Sequence, residues 1–205
     1  MTDEEPTVFV VDDDPGVGDS IRFLLLSVGL PSETFLSAID FLDAHDPERA
    51  GCLVLDVRMP GMSGLDLQAR LQGMGSTLPI IFVTAHGDVP MAVNAVRAGA
   101  VDFIQKPFRD QELLDKIQEA LKVDARIRAQ RMDFVEIKGR LETLTPRETE
   151  VLGLVVDGKP NKNIARALGI SQRTVEIHRA RVMVKMQVRS VSKLVQLVIK
   201  AKEKG

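Results

Sequence analysis

The stretch Gly51-Cys52-Leu53-Val54-Leu55-Asp56 decides the fold of the first half of the chain, because a short apolar run closed by a carboxylate is typical of a buried β-strand. Further short apolar runs cover Thr7 to Val11, Thr34 to Leu36, Leu78 to Val83 and Val101 to Ile104. Helical patterns separate them over Pro15 to Val28, Ala38 to Ala44, Leu65 to Leu71 and Val89 to Ala98, and another helix starts near Asp110. This alternation predicts an α/β fold, a doubly wound five-stranded parallel sheet with helices on both faces.

Polar residues follow four of these predicted strands. Asp12 and Asp13 close the first strand, Asp56 the third and Thr84 the fourth, and Lys106 comes shortly after the fifth. We expect these side chains to converge, because the carboxyl ends of parallel strands share one edge of the sheet. Clustered carboxylates need a cation, and oxygen ligands favour Mg²⁺, beside which one carboxylate can attack a phosphoryl group. Singly, each residue is more often a cap or a turn; the ordered set favours a phosphoryl-transfer site.

Charge is divided unevenly along the chain, although the net charge is only −2. Residues 1–120 carry 20 acidic and 8 basic side chains, a net charge of −12. The remaining residues carry 9 acidic and 19 basic side chains, a net charge of +10. This asymmetry makes nucleic acid a candidate partner of the second half, with two ordinary domains of drifting charge as the alternative.

Cysteine content and hydropathy narrow the class of protein. The single cysteine, Cys52, excludes an intramolecular disulfide, and its apolar surroundings predict a buried residue rather than a reactive thiol. The sequence has no apolar run of 18 residues, and its N-terminus is acidic. We therefore expect a cytoplasmic protein with neither a membrane span nor a signal peptide.

The segment from Asp110 to about Lys138 contains no proline or glycine and keeps apolar residues at helical spacing. Its second half is rich in charge, which predicts a long helix whose far end links two domains, with a disordered linker as the alternative. The predicted organisation is a first domain at residues 1–122, a helical linker at 123–140 and a second domain at 141–205.

The second domain shows helical patterns only, so we predict an all-α unit of four helices. The capping box Thr145-Pro146-Arg147-Glu148 opens the first helix, which runs to Val156. We expect Asn161 to cap a helix ending at Leu168, Ser171 to cap one ending near Met186, and Ser190 to open one ending near Lys202. Two short helices on either side of Gly169 are typical of a helix-turn-helix.

The third helix of this domain has two contrasting faces. The core face carries Val175, His178, Val182 and Met186. The opposite face carries Arg173, Ile177, Ala180, Arg181 and Val184, with Glu176 beside them. A mixture of charged and small apolar groups suits the major groove of DNA, where Glu176 either accepts from a cytosine amino group or stays solvated. The candidates for phosphate contacts are Lys162, Arg173, Arg179, Lys185 and Arg189. A basic dimerisation bundle is the alternative.

Motifs of the first half resemble the receiver domain of response regulators. They are Val10-Val11-Asp12-Asp13, Leu55 to Gly64, Val83-Thr84-Ala85 and Asp102 to Phe108, and the resemblance spans roughly residues 6–122. It implies a flavodoxin/CheY-like fold in which Asp56 is the phosphoacceptor. It further implies that Mg²⁺ is held by Asp12, Asp13, Asp56 and the main-chain carbonyl of Arg58, and that Thr84 and Lys106 contact the phosphoryl oxygens. Phe103 would be the aromatic switch, with an ordinary core phenylalanine as the alternative, and a cis peptide would precede Pro107.

Motifs of the second half resemble the LuxR-type DNA-binding domain over roughly residues 139–200. They include Leu144 to Glu148, Asn161-Lys162, Leu168 to Ser171, Thr174 to Arg179 and Lys185-Met186. Through them Thr174 and His178 join the residues expected to contact DNA. The whole chain is similar to the FixJ/NarL class of response regulators, and residues 85–93 favour the FixJ branch.

This resemblance implies a set of partners. A sensor histidine kinase would donate the phosphoryl group, and promoter DNA and RNA polymerase would be the output partners. Phosphorylation would favour a homodimer through the fourth helix, fifth strand and fifth helix, near Met91 to Phe108, with the helix from Ser190 as a second contact. The protein would be a switch that catalyses only its own phosphorylation and dephosphorylation, not an enzyme with a turnover substrate.

Two other functions are alternatives to this one. A phosphatase or phosphotransferase using Asp56 as nucleophile commonly has a second aspartate two residues later, and Arg58 at that position counts against it. A pure protein-interaction module would not need the basic helix-turn-helix.

Overall fold

The predicted parallel sheet is present in the computed structural model, which describes residues 5–85 and 89–202. Elements of the first half are β1 (Thr7–Val11), α1 (Pro15–Ser27), β2 (Ser32–Phe35), α2 (Ala38–Ala44), β3 (Gly51–Leu55), α3 (Gly64–Gly73), β4 (Ile80–Thr84), α4 (Val89–Arg97) and β5 (Asp102–Gln105). They are followed by α5 (Asp110–Glu142). The strand order is β2-β1-β3-β4-β5, with all neighbours parallel, which confirms the predicted fold class.

Alternate residues of the central strands enter two separate cores. From β3, Leu53 and Leu55 pack in a cluster with residues of α2, α3 and α4. Cys52 and Val54 face the other way, toward residues of α1 and α5. Strands buried on both faces read as continuous apolar runs, which explains why the sequence pattern identified them. Cys52 is fully buried, and burial raises the pKa of its thiol to about 12, as a core residue requires.

The predicted linker is helical rather than disordered, since α5 continues without a break through Gly139. The chain divides into two units, residues 1–128 and 129–205, so the division falls inside the predicted linker of residues 123–140. Two side chains near the start of this linker pack within the first unit. Asp124 accepts a hydrogen bond from the backbone N–H of Gly51, and Arg128 pairs with Asp124.

The second unit contains α6 (Pro146–Val156), α7 (Asn161–Leu168), α8 (Gln172–Lys185) and α9 (Val191–Lys202). Its core joins Val151, Ile164, Val182 and Leu194, one from each of these helices, and it also includes Ile137 from the end of α5. The predicted four-helix domain therefore has an additional helical segment, because Ile137 buries its side chain in the same core. Thr145 and Glu148 form the expected capping box, and Ser171 caps α8.

One predicted helix cap is wrong. Pro160, not Asn161, is the N-cap of α7, and no side chain caps this helix end. The Asn161 side chain instead accepts a hydrogen bond from Arg179 Nη1 at 2.5 Å. Gly169 ends α7 in the left-handed conformation, with φ 65°. This conformation costs a residue with a Cβ atom, so glycine makes the tight turn of the helix-turn-helix possible.

Within the residues that the structure describes, no helix is both long and apolar enough to cross a lipid bilayer. Of the stretch 85–93 that favours the FixJ branch, His86, Gly87 and Asp88 lie outside the described residues, as do residues 1–4 and 203–205 of the predicted domains.

Candidate phosphorylation site and DNA-binding helix

Asp56 lies directly after β3, at the edge of the sheet where β1 and β4 also end. Its backbone N–H donates to Val11 O at 2.9 Å, which extends the pairing of β1 and β3 by one residue. The first helical residue after the loop, Gly64, donates its N–H to Val57 O at 2.9 Å and closes the Asp56 loop against the start of α3. The position of Asp56 is therefore fixed by backbone hydrogen bonds on both sides.

Lys106 connects two buried carboxylates at this edge. Its Nζ lies 2.6 Å from Asp12 Oδ2 and 3.2 Å from Asp56 Oδ1. Asp12 is 4% exposed and Asp56 7% exposed, so both charges are largely removed from water. The structure thus brings together three of the predicted site residues, Asp12, Asp56 and Lys106, although 94 residues separate Lys106 from Asp12.

Burial and ion pairing compete in setting the pKa values of this cluster. Burial, together with the charge of Asp56, raises the pKa of Asp12 by more than the hydrogen bond and charge of Lys106 and the Asp14 N–H lower it. Burial acts to lower the pKa of Lys106, but the hydrogen bonds and charges of Asp12 and Asp56 outweigh it and raise the pKa. Lys106 is therefore a stable cation, held where negative charge accumulates.

The loop after Asp56 supplies a further donor to its carboxylate. The backbone N–H of Arg58 donates to Asp56 Oδ2 at 2.6 Å, and the Arg58 side chain is exposed. The sequence prediction concerned only the carbonyl of Arg58 and missed this N–H, because the fold of the loop decides which main-chain group faces the carboxylate. The two oxygens of Asp56 are thus held by different partners, Lys106 and the Arg58 N–H.

The predicted three-carboxylate cluster is not assembled in this arrangement. Asp13 is exposed, and no three His, Cys, Asp or Glu side chains among the described residues are placed to hold a metal ion. In this arrangement the Lys106 ammonium compensates the charges of Asp12 and Asp56 in the place that a cation would take. These two carboxylates still fit a divalent cation: both offer the oxygen atoms that Mg²⁺ prefers, and they share one lysine as compensating charge.

Thr84 and Phe103 are the remaining predicted residues of the receiver site. Thr84 is buried at the end of β4, and its carbonyl accepts a hydrogen bond from the Lys106 backbone N–H at 2.9 Å. The peptide bond between Lys106 and Pro107 is cis, as the resemblance implied. Phe103 is partly buried, and its ring centroid lies 6.2 Å from that of Phe82. It packs against the hydrophobic core that contains residues of α3 and α4. Its role as a switch stays a prediction.

Glycine at position 64 leads to a testable prediction about this loop. A Cβ atom on Gly64 would lie 2.2 Å from the Asp56 carbonyl oxygen, a backbone atom that cannot move aside alone. We expect Gly64→Ala to destabilise the first unit by about 1–2 kcal/mol and to slow phosphorylation from acetyl phosphate several-fold. Gly73→Ala on the same helix is the control, because nothing lies within 4 Å of its Cβ. Equal phosphorylation rates in the two variants, followed on phosphate-affinity gels, would contradict this prediction.

The exposed face of α8 contains the residues predicted to read DNA. Ile177 is 46% exposed and Val184 75% exposed, and Arg173, Glu176, Ala180 and Arg181 are exposed with them. Val175, Val182 and Met186 are buried on the opposite side, as the periodicity predicted. His178 is partly buried there, and its Nδ1 is buried with no hydrogen-bond partner in the part of the chain that the structure describes.

Two of the basic residues proposed for DNA contact have partners inside the second unit. Lys185 Nζ lies 2.7 Å from Glu148 Oε2 and donates to Thr143 O at 2.9 Å, while Arg179 donates to Asn161. Lys162, Arg173 and Arg189 are exposed, and Thr174 is partly buried beside the Ser171 cap. Lys185 and Arg179 thus contact other residues of the second unit, whereas Lys162, Arg173 and Arg189 face solvent, and contact with DNA stays a prediction for all five.

Comparisons with known proteins identify a family for each half of the chain. The family model "Response regulator receiver domain" matches residues 8–118, and the model "Bacterial regulatory proteins, luxR family" matches residues 142–198. The response regulator protein TmoT of Ectopseudomonas mendocina is 44% identical over 203 residues, 99% of this chain and 92% of that relative. The transcriptional regulatory protein FixJ of Bradyrhizobium diazoefficiens is 43% identical over 194 residues, 95% of each chain.

Solved structures give the same result. The response regulator StyR aligns with a TM-score of 0.87 and 49% identity, over 96% of this chain and all of that one. Full-length FixJ from B. japonicum aligns with a TM-score of 0.59 and 42% identity, over 97% of this chain and 98% of that one. The chain belongs to the two-component response regulators that combine a receiver domain with a LuxR-type DNA-binding domain. Its full-length similarity to FixJ confirms the predicted branch, and receiver domains generally bind Mg²⁺ at their phosphorylation site.

Proposed function

We propose that this response regulator accepts a phosphoryl group on Asp56 from a sensor histidine kinase and thereby becomes a dimeric, promoter-binding transcription factor. The observation that carries the proposal is the position of Lys106 between Asp12 and Asp56, in a chain whose α8 exposes a DNA-reading face. Promoter DNA lies in the cytoplasm of a bacterium, which is where we place the protein.

The first step is displacement at phosphorus by a carboxylate oxygen of Asp56. The new bond joins this oxygen to phosphorus while the bond to the donor's leaving group breaks, and the leaving group keeps the electron pair. Lys106 offsets the negative charge of the phosphoryl oxygens, and the Thr84 hydroxyl contacts them. The Arg58 N–H holds Asp56 Oδ2, which limits rotation of the carboxylate during attack. Later attack of water on phosphorus releases phosphate, so the chain catalyses only its own phosphorylation and dephosphorylation.

Bound Mg²⁺ would supply further positive charge at the transferring phosphoryl group. Asp12 and Asp56 would be its ligands, together with Asp13 and the main-chain carbonyl of Arg58. Asp13 is exposed on the same loop as Asp12, so its carboxylate can turn toward the cation without displacing a buried group.

Phosphorylation then favours self-association. The dimer forms through the face of α4, β5 and α5, where Val93 and Val96 are exposed apolar residues, and α9 forms a second contact between DNA-bound domains. A phosphorylated state with higher affinity for its own copy shifts the population toward the dimer. Dimers recognise paired half-sites, and promoter-bound dimers contact RNA polymerase.

Readout of DNA is assigned to the exposed face of α8. Ile177, Ala180 and Val184 are exposed apolar residues suited to thymine methyl groups, and we assign the exposed Glu176 to a cytosine amino group. Lys162, Arg173, Arg181 and Arg189 supply phosphate or base contacts that make the affinity depend on salt.

Selection of DNA from a random library tests the proposal. The full-length protein is used with and without acetyl phosphate and MgCl₂, beside an Asp56→Asn variant treated identically. We expect a motif of two half-sites that is enriched only with the phosphodonor and is lost in Asp56→Asn. Equal selection in all samples would refute the switch, and no enriched sequence in any sample would refute DNA binding. Phosphate release over many turnovers would instead support the phosphatase alternative.

A further inference from the structure

Gln68 on α3 is a buried polar residue that reaches the end of α4. Its side chain is 3% exposed, and its Nε2 donates to Ala98 O at 3.0 Å and to Ala95 O at 3.3 Å. Gln72, one turn later and exposed, also donates its Nε2 to Ala98 O. Ala95 O also accepts from the Ala100 backbone N–H at 3.1 Å, whereas Ala98 O accepts from both glutamine side chains. The two amides thus act as a cap, supplied by a neighbouring element, for the C-terminal carbonyls of α4.

The surroundings of Gln68 are apolar. Leu67 and Leu71 on α3 belong to the same buried cluster as Ala95 and Ala100 at the end of α4. A buried amide costs free energy unless its hydrogen bonds are made, and a leucine or methionine of similar size would pack here without that requirement. The two donated hydrogen bonds are thus what glutamine provides at this position.

The two helices joined by Gln68 both follow strands that end at the phosphorylation site. α3 follows the Asp56 loop, to which Gly64 is tied through Val57 O. α4 follows β4, which ends at Thr84. Gln68 therefore connects the element after the phosphoacceptor to the far end of the element after the phosphate-contacting threonine.

We propose that Gln68 is a positioning residue that holds α4 in the arrangement found here and so keeps the unphosphorylated receiver from dimerising. This inference rests on the proposed function, in which the dimer uses the face of α4, β5 and α5. Loss of the two hydrogen bonds lowers the free-energy difference between this arrangement of α4 and the dimerising one. The Gln68 amide donates to α4 carbonyls and not to Asp56, so we expect the chemistry at Asp56 to continue without it.

The test uses full-length Gln68→Met, which keeps the volume and removes the donors, with Gln72→Met as the matched control at the exposed position. Hydrogen exchange read by mass spectrometry reports on residues 95–101, and analytical ultracentrifugation gives the dimer dissociation constant with and without acetyl phosphate and MgCl₂. We expect Gln68→Met to exchange faster at residues 95–101, to be phosphorylated as the wild type is, and to dimerise about tenfold more tightly without the phosphodonor. Gln72→Met should change the dissociation constant less than threefold.

The deciding quantity is the ratio of the dimer dissociation constants measured without and with the phosphodonor. If this ratio is the same in Gln68→Met as in the wild type, the inference is overturned and the proposed function is left intact. This holds whether or not residues 95–101 exchange faster. Absence of any phosphodonor effect in the wild type would overturn both. If exchange rises throughout the receiver domain, Gln68→Leu is measured in its place and judged by the same ratio.

Discussion

Replacing Arg128 with alanine is expected to lower the free energy of opening at β3 and the preceding loop by about 3 kcal/mol. Arg128 Nε lies 2.8 Å from Asp124 Oδ2, and its guanidinium also donates to the carbonyls of Pro47, Glu48 and Arg49. Asp124 is 2% exposed and accepts from the Gly51 N–H at 3.0 Å. Removal of the arginine leaves a buried carboxylate without its cation, which costs about 3–5 kcal/mol when the pair is fully buried. Because Arg128 is partly exposed, we expect a loss of about 3 kcal/mol, at the lower end of this range.

Hydrogen exchange of the full-length protein at pH 7 measures this effect, because the chain has neither tryptophan nor tyrosine as a fluorescent probe. Amides of residues 47–55 should exchange about 100-fold faster in Arg128→Ala. Arg126→Ala is the matched control, since Arg126 is exposed on the same helix. The double variant Asp124→Asn/Arg128→Ala should recover part of the loss, because no buried charge remains. Wild-type exchange in Arg128→Ala would show that this ion pair does not hold the middle of α5 to β3 and its preceding loop.

The sequence predicted the bounds of the central strands β1 and β3 correctly and those of the edge strand β2 less well, for a physical reason. β3 is buried on both faces, so its own composition identifies it. β2 was expected at residues 34–36 but covers Ser32–Phe35, because its polar first residues pair with β1, Val8 opposite Ser32. The register of an edge strand depends on the partner strand and not only on its own hydropathy.

The candidate phosphorylation site was predictable because the carboxyl ends of parallel strands meet at one edge. That rule placed Asp12, Asp56 and Lys106 together, but it does not say which groups touch. Two contacts depend on loop conformation, which the sequence pattern does not specify. They are the ion pairs of Lys106 with both carboxylates and the hydrogen bond from the Arg58 N–H to Asp56. Asp124 was hidden for another reason: in a charge-rich segment nothing distinguishes a buried aspartate from a solvated one.

The basic residues of the second unit show the limit of periodicity most clearly. The helical wheel correctly separated the buried and exposed faces of α8. It could not distinguish a lysine that faces solvent from one that reaches a carboxylate 37 residues earlier, as Lys185 does with Glu148. The capping box identified Glu148 as a helix-start residue, yet its burial and ion pair follow from how α6 packs on α8.

Replacing Lys185 with methionine should therefore destabilise the second unit by about 2–3 kcal/mol at pH 7 rather than merely weaken DNA binding. The hydrogen bond from Lys185 is the largest cause that lowers the pKa of Glu148, with the Thr145 N–H next, and together they bring it to about 2. Glu148 is 2% exposed, so the variant leaves a buried carboxylate held only by the Thr145 cap. Such a loss is typical of a broken buried pair, reduced here because Lys185 is a third exposed.

The lowered pKa of Glu148 determines how the stability effect of Lys185→Met changes with pH. A carboxyl group whose pKa is lowered by folding contributes stability above its unfolded pKa, near 4.5, and that contribution is lost as the pH falls through the folded value of about 2. The difference in stability between the wild type and Lys185→Met should thus be constant from pH 7 to about 5 and narrow below about 4.5. Urea unfolding of the full-length proteins, followed by circular dichroism, measures it, with Lys193→Met on α9 as the exposed control. A difference that does not narrow at low pH would show that Lys185 stabilises the domain by packing and not through the charge of Glu148.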